Sequence, residues 1–197
     1  SAGCNVVNAD GCLVTPGLIN THHHLYQTMT RAVPNAQDQT LFGWLKTLYP
    51  IWSAMRPDDF FTSAQVGMAE LLLSGCTTTS DHLYIYPNGA RLEDTIEAAN
   101  EIGMRFQPTR GAMSIGESDG GLPPDHLVEY EPEILEDMIR VIDAFHDPAH
   151  GSMVRVGVAP CSPFSVSREL MRDAAILARD KGVMMHTHLA ENEEDIA

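Results

Sequence analysis

The sequence predicts an α/β fold in which parallel strands alternate with amphipathic helices and close as a (β/α)8 barrel of the TIM type. One observation is that short apolar, β-branched segments alternate with helical patterns along the chain, which indicates βαβ units. The other is that histidines cluster near the ends of two of these strands. An open doubly wound sheet shows the same alternation. The histidines favour the barrel, whose catalytic groups come from the C-terminal ends of several strands.

Five strands and the helices that connect them are predicted in order. The strands cover residues 12–20, 76–82, 104–109, 153–159 and 183–189. The helices cover residues 40–55, 57–75, 91–102, 132–146 and 167–182. Proline in the first turn, an N-cap serine at Ser167 and a terminating glycine at Gly103 mark where these helices begin and end.

The predicted barrel is incomplete within this sequence. A closed (β/α)8 barrel has eight strands and typically about 250 residues. This chain has 197 residues, which we divide into a short polar segment at residues 1–11 and roughly five βα units after it. A Gly/Pro-rich stretch between Ala112 and Tyr130 is too long for a plain connector, and loops of that size are usually functional lids or mobile segments.

Composition limits the partners and the compartment. The formal net charge of −15 argues against a surface for duplex nucleic acid, because phosphate binding requires positive charge, although a free nucleobase stays possible. No apolar run approaches the length that spans a membrane, so we expect no membrane partner. Four cysteines without a C-x-x-C pair suit a reducing cytoplasm, which is the predicted location.

The apolar run that starts at Leu18 ends in three consecutive histidines. Side chains of a strand alternate between its faces, so His22 and His24 point the same way and His23 points away. Two imidazoles at this spacing can hold one metal ion, since neutral imidazole is the usual zinc ligand. A tag remnant and a solvated polar turn are the alternatives, although the run is internal and follows an apolar strand.

A second cluster lies near the other end of the chain, where His186 and His188 share a strand face and Glu191 follows. Two histidine-bearing strand ends, far apart in sequence, are what a metal site built from several strands requires. The alternative for either histidine is a core role or a role in supporting a metal ligand without binding the ion. Glu191 is interpreted as a proton shuttle beside an activated water or as a carboxylate in a helix first turn. The other histidines have no partner at ligand spacing. They are His82, His126, His146 and His150, and we interpret the last three as surface residues.

Signatures of several other enzyme classes are absent from the sequence. It contains no H-E-x-x-H, Walker, G-x-G-x-x-G or G-x-S-x-G motif. The zinc site of cytidine deaminases requires P-C-x-x-C, and Phe164 stands where the second cysteine of that motif would be.

Residues 16–27, which read PGLINTHHHLYQ, resemble the first-strand signature of the amidohydrolase superfamily, in its branch of nucleobase and cyclic-amidine deaminases. Further segments are similar to the 8-oxoguanine deaminase group of that branch: residues 41–50, 70–78, 120–124, 159–165 and 186–191. The resemblance covers nearly the whole chain. It implies a metal-dependent hydrolase barrel of the amidohydrolase type.

The resemblance also implies roles for individual residues. The metal ligands it implies are His22, His24 and His188, around one zinc ion, with Fe²⁺ or Mn²⁺ as alternatives. Glu191 matches the proton-transfer glutamate of the family, and Gln27 matches a glutamine that recognises the purine edge in guanine-type deaminases. Three more residues are expected in the substrate pocket: Trp44, Arg110 and Cys161.

By the same resemblance, residues 12–197 are the first part of the barrel, and residues 1–11 are a remnant of an N-terminal β-sandwich or linker. The β-sandwich is otherwise essentially absent. The family adds a histidine from the sixth strand and a metal-binding aspartate from the eighth, which this sequence does not include. We also expect a homo-oligomer, because relatives commonly form dimers.

The expected activity is the hydrolytic deamination of 8-oxoguanine to urate and ammonia. Guanine, isocytosine, a thioadenosine and a triazine are alternative small heterocyclic substrates. A hypothesis of another class is a non-catalytic, truncated scaffold that keeps the metal ligands without the chemistry.

Overall fold

The computed structural model describes residues 3–191, in which parallel strands form one sheet with helices packed against it. The strands are β1 (Leu18–Asn20), β2 (Cys76–Leu83), β3 (Arg105–Ala112) and β4 (Gly157–Pro160). They lie in the order β1-β2-β3-β4, and each pairs in parallel with the next. Sequential parallel strands joined by helices are the arrangement that the alternating pattern predicts.

Five α-helices accompany these strands in the described part of the chain. They are α1 (Leu41–Trp52), α2 (Pro57–Leu73), α3 (Leu92–Ile102), α4 (Glu131–Phe145) and α5 (Arg168–Lys181). Within residues 3–191, none of the helices combines the length and the apolar character needed to cross a bilayer.

Helix boundaries follow local side-chain chemistry, as predicted. The Ser167 hydroxyl accepts the N–H of Leu170 at 2.9 Å and thereby caps the first turn of α5. Gly103, at the end of α3, adopts the left-handed conformation with φ of 78°, which glycine enters without a Cβ penalty. These two predicted helix ends are therefore confirmed.

Two predicted strands are shorter than expected. The first was expected over residues 12–20, but only Leu18–Asn20 is a strand, because Pro16 and Gly17 interrupt the extended pattern. The strand expected over 153–159 is regular only from Gly157 to Pro160, although Val154 forms an isolated bridge with Phe106.

The predicted fifth strand, residues 183–189, forms a bridge and not a regular strand. It lies beside β4, where the N–H of His186 donates to the Val158 carbonyl and the N–H of Val158 donates to the Met184 carbonyl. A single residue pair, Val158 and Met185, has bridge geometry. The segment nevertheless runs parallel to β4, so its residues reach the same sheet edge as the carboxyl ends of the strands.

The core lies between the sheet and the helices, and its largest fully buried side chains include Trp52, Tyr26, Phe60 and Phe106. Tyr26 comes directly after the histidine run and contacts the rings of Trp52 and Phe60 at centroid distances of 5.2 and 5.8 Å. Burial of aromatic side chains of this size is strongly stabilising. The packing anchors the chain immediately after β1 and so holds the histidine run at the sheet edge.

Candidate metal centre

Three histidines from opposite ends of the chain meet at the carboxyl edge of the sheet. The ring centroids are 4.8 Å apart for His22 and His24, and 5.1 Å apart for each of these rings and His188. One potential ligand atom of each ring lies within 4.8 Å of the others. The structure therefore brings together the three residues that the sequence analysis named as metal ligands.

The hydrogen bonds of two of these rings define which nitrogen carries the proton. Nδ1 of His24 donates to the His82 carbonyl at 2.7 Å, and Nδ1 of His188 donates to the Cys161 carbonyl at 2.7 Å. A carbonyl oxygen only accepts, so in each neutral ring Nδ1 holds the hydrogen and Nε2 keeps its lone pair. The two Nε2 atoms are 3.1 Å apart. Two lone pairs at that distance repel unless a positive charge lies between them.

The pKa values of the rings favour a metal ion over a proton as that charge. Burial, opposed in part by the hydrogen bond to the His82 carbonyl, lowers the pKa of His24 to about 3. Partial burial and then repulsion from His188 and His186 lower the pKa of His22 to about 4. These imidazoles are neutral at physiological pH, which is the form that binds zinc.

Sequence reasoning missed His82, which is fully buried at the carboxyl end of β2. Its ring stacks on His188 with centroids 4.5 Å apart and 10° between the planes. It also lies within ligand distance of His22 and His186, so the interpretation that His82 lacks a partner at ligand spacing is wrong. Its neighbours come from other elements. The available signal was its position at the end of a strand, which a barrel aims at the same mouth.

Asp81, the residue before His82, forms a hydrogen bond with the backbone just after the histidine run. It is fully buried, and its Oδ1 accepts the N–H of Leu25 at 2.7 Å, just after His24. Burial raises the pKa of Asp81 to about 7, although hydrogen bonds from the Leu25 and His82 backbone oppose the shift. The contact ties β2 to the backbone that follows the histidines.

A cavity of about 330 Å³ opens beside the three histidines, within the range of roughly 300–1,000 Å³ typical of small-molecule sites. Aromatic side chains form much of its wall: Phe42, Trp44, Tyr49, Tyr84 and Phe164. Leu122 and Pro123 bring the long Gly/Pro-rich loop to the cavity. The cavity therefore has the flat apolar surfaces that suit a planar ring, next to a cluster of imidazoles.

Four of the other predicted site residues line this cavity: Gln27, Trp44, Cys161 and Glu191. The Gln27 amide donates to the hydroxyl groups of Tyr26 and Tyr84 at 3.0 and 3.3 Å, which orients its side chain. Burial raises the pKa of the Cys161 thiol to about 12. Cys161 is therefore a neutral thiol at physiological pH and is unsuited to act as a nucleophile.

Arg110 does not line the cavity, contrary to the prediction that it contacts substrate. Its guanidinium is 3% exposed and donates to the carboxylates of Glu129, at 2.6 and 3.0 Å, and Asp137, at 2.6 Å. It also lies 4.0 Å from the centre of the Tyr86 ring. Because Asp137 lies on α4, the Arg110 side chain points from β3 into the helix layer, away from the histidines.

Of the three histidines interpreted as surface residues, His126 and His150 are exposed. His146 is only partly exposed, and its Nδ1 forms a hydrogen bond with the Val156 carbonyl at 3.1 Å. All three lie outside the cavity lining.

Comparison with known proteins identifies the family. Residues 13–197 match the sequence model of the amidohydrolase family. The chain belongs to the amidohydrolase family. The sequence-based resemblance to this superfamily is thereby confirmed.

This amidohydrolase chain is 50% identical to 8-oxoguanine deaminase of Pseudomonas aeruginosa over 187 residues, which cover 93% of the chain and 42% of that protein. It is 40% identical to hydroxydechloroatrazine ethylaminohydrolase of Pseudomonas sp. (strain ADP), with coverage of 97% and 41%. The chain thus spans about two fifths of the length of these relatives.

Solved structures confirm the fold. The crystal structure of atrazine chlorohydrolase from Arthrobacter aurescens TC1 complexed with zinc matches with a TM-score of 0.82 at 33% identity, over 88% of this chain and 40% of that one. A triazine hydrolase variant matches with a TM-score of 0.84 at 34% identity, over 89% and 41%. The predicted partial barrel of the amidohydrolase type is therefore confirmed.

Proposed function

We propose that the protein is a metal-dependent hydrolase that deaminates an aminated heterocycle, with 8-oxoguanine as the substrate and urate and ammonia as the products. The observation that carries the proposal is the convergence of Nε2 of His24 and Nε2 of His188 at 3.1 Å, beside His22 and an aromatic-walled cavity. The identity of 50% with an 8-oxoguanine deaminase supports the substrate.

The three imidazoles fit one divalent ion, because neutral nitrogen ligands suit zinc and also accept Fe²⁺ or Mn²⁺. Zinc is proposed, and the zinc complex of the related atrazine chlorohydrolase supports it. When bound, such an ion lowers the pKa of a water molecule toward neutrality and so supplies a hydroxide nucleophile. His22, His24 and His188 would hold the ion through ring nitrogens.

The residues that line the cavity bind and orient the heterocycle. Trp44 and the other aromatic side chains pack against its faces and exclude water, which strengthens polar contacts to its edge. Gln27, held by the Tyr26 and Tyr84 hydroxyl groups, presents its amide to the ring edge. A site built to hydrogen-bond an edge discriminates between heterocycles more strongly than apolar walls do.

Glu191 moves the protons. In this proposal its carboxyl group gives a proton to the ring nitrogen beside the carbon that bears the amine, which makes that carbon electrophilic. The oxygen of the water adds to the carbon, and the carbon–nitrogen bond breaks as a carbonyl forms. Of the two protons of the water, one goes to the amine, which leaves as ammonia, and the other returns to Glu191. Glu191 follows His188 by three positions in sequence, and both residues line the same cavity.

We also propose the domain assignment, with residues 1–11 as a remnant of an N-terminal β-sandwich or linker and residues 12–197 as the first part of the barrel. The family match that begins at residue 13 supports the boundary. A cytoplasmic location is supported by the four cysteines, which lie in the described part of the chain and form no disulfide there. Homo-oligomerisation stays a prediction, which light scattering tests.

The test is ammonia release by the protein, expressed from its complete coding sequence and loaded with zinc. The substrates are 8-oxoguanine, guanine, isocytosine, 5-methylthioadenosine and a hydroxylated aminotriazine. We expect the highest kcat/KM with 8-oxoguanine and no turnover by His188→Ala. If the triazine were preferred instead, it would become the proposed substrate in place of 8-oxoguanine; the 40% identity with the ethylaminohydrolase supports testing it. Zinc binding without ammonia release from any of them would support the scaffold hypothesis instead.

A further inference from the structure

His186 contacts one of the three candidate metal ligands directly. Its Nε2 lies 2.9 Å from Nδ1 of His22, and the two rings meet nearly edge to face, with centroids 4.9 Å apart and 69° between the planes. The backbone N–H of His186 donates to the Val158 carbonyl at 2.9 Å, which fixes the residue beside β4. His186 therefore approaches His22 from an anchored position.

The three candidate ligands differ in what holds their Nδ1 atoms. Carbonyl oxygens bind Nδ1 of His24 and Nδ1 of His188. A carbonyl oxygen can only accept a hydrogen bond, so these Nδ1 atoms must donate. His22 instead faces a ring nitrogen, which either donates or accepts. The tautomer of His22 thus depends on the state of His186, whereas the backbone determines the tautomers of the other two rings.

We propose that His186 is a positioning residue that accepts the Nδ1–H of His22 through its own Nε2. This contact keeps the lone pair of His22 on Nε2 and so leaves that nitrogen able to bind the ion held by His24 and His188, whose ligand atoms lie within 4.8 Å of one on His22. The inference rests on the proposed metal-dependent function. Groups that orient a metal-binding histidine through its second nitrogen typically change metal affinity by about 10–100-fold when they are removed.

The test compares two replacements of His186 in the protein expressed from its complete coding sequence. His186→Gln keeps an acceptor, because the amide oxygen can take the Nδ1–H of His22. His186→Leu has similar bulk and no acceptor. His150→Leu, at an exposed histidine outside the cavity, is the matched control for loss of an imidazole. Zinc affinity is measured by competition with a chromogenic chelator, and the visible spectrum is recorded after cobalt substitution.

We expect His186→Leu to weaken zinc binding by about 10–100-fold and to alter the cobalt spectrum. His186→Gln should stay within a few-fold of the unsubstituted protein and keep its spectrum, and His150→Leu should change neither. Thermal melting of the metal-free variants reports whether they fold. If His186→Leu does not fold, the cobalt spectrum of His186→Gln decides. An unchanged spectrum supports the acceptor role, because the Gln amide oxygen keeps the acceptor, and an altered spectrum overturns it.

Equal zinc affinity in His186→Leu and the unsubstituted protein would overturn the inference and leave the proposed function intact. An equal loss in the Leu and Gln variants would also overturn it, because the acceptor would then be irrelevant. Binding of two zinc ions, one of them lost in both variants, would make His186 a ligand and not a positioning residue. An unsubstituted protein that binds no zinc would overturn the proposed function together with the inference.

Discussion

Nε2 of His24 and Nε2 of His188 face each other at 3.1 Å, although 164 residues separate them in the chain. Each ring has its Nδ1 committed to a backbone carbonyl, so neither can rotate its lone pair away without losing a hydrogen bond. The fold thus keeps the lone pairs of these two Nε2 atoms close enough to repel each other, and a cation bound between them removes the repulsion.

Removal of the metal is expected to lower the thermal stability of the protein. A ligand that binds only the folded state adds about 4.1 kcal/mol at a free concentration 1,000 times its dissociation constant. Melting curves with zinc and with a chelator measure the difference. His188→Ala should melt at the same temperature in both conditions, and a persistent zinc-dependent shift in that variant would show that the ion binds elsewhere.

Glu191→Gln should abolish most of the turnover without loss of zinc. Positioned proton transfer contributes about 10²–10⁴-fold to a rate, and the amide cannot supply it at neutral pH. Glu133→Gln, at an exposed carboxylate on α4, is the control and should keep full kcat. Steady-state ammonia release and zinc content are measured on the same samples. Retained activity in Glu191→Gln would exclude it as the shuttle.

Arg110→Met should destabilise the fold and leave KM unchanged. Breaking a buried ion pair typically costs about 3–5 kcal/mol, and Arg110 is 3% exposed between Glu129 and Asp137. Urea denaturation measures the loss. Arg172→Met removes an exposed ion pair with Asp173 and should cost less than about 1 kcal/mol. A large rise in KM at normal stability would restore Arg110 as a substrate-binding residue.

The metal-free protein should become less stable as pH falls from 7 to 5. Burial is the largest cause of a lowered pKa in five histidines: His22, His23, His24, His82 and His186. Their pKa values lie below the unfolded value of about 6.5, so on acidification the unfolded chain binds protons that the folded chain does not. Stability present above pH 6.5 is therefore lost as pH decreases toward the folded pKa values.

Asp81 opposes this trend, since its folded pKa of about 7 is raised above its unfolded value. It binds a proton in the folded state as pH falls below 7, which adds stability. Asp81→Asn removes that contribution and keeps an oxygen for the Leu25 N–H, so its stability should decline more steeply with acidification. Urea midpoints at pH 7, 6 and 5 measure both slopes. Parallel slopes would show that Asp81 is ionised throughout.

Gly111→Ala should destabilise the sheet. A Cβ at Gly111 on β3 would overlap the carbonyl oxygen of Leu83 on β2, and paired backbone has no room to move. Gly43→Ala, in α1, would contact the end of the flexible Gln39 side chain at 2.8 Å and gain about 0.5–1 kcal/mol of helix stability. Denaturation of the two variants should shift in opposite directions, and equal stability would contradict the close approach at Gly111.

The sequence by itself determined the local structure and one half of the site. Strand alternation predicted that His22 and His24 lie on one face, and their rings do lie 4.8 Å apart, although β1 ends at Asn20, before the histidine run. Ser167 and Gly103 likewise predicted helix ends, since a cap acts within one turn. Such features depend on residues a few positions apart.

The tertiary structure decided which distant groups meet. Arg110 points into the helix layer, where its partners Glu129 and Asp137 lie. His82 joins the cluster because β2 pairs with β1 and because its ring stacks on His188, although the segment that carries His188 lies beside β4. Neither fact depends on spacing along the chain. A buried polar side chain is stable only where it forms hydrogen bonds or ion pairs with groups from other elements. Those groups reach their positions only when the chain folds.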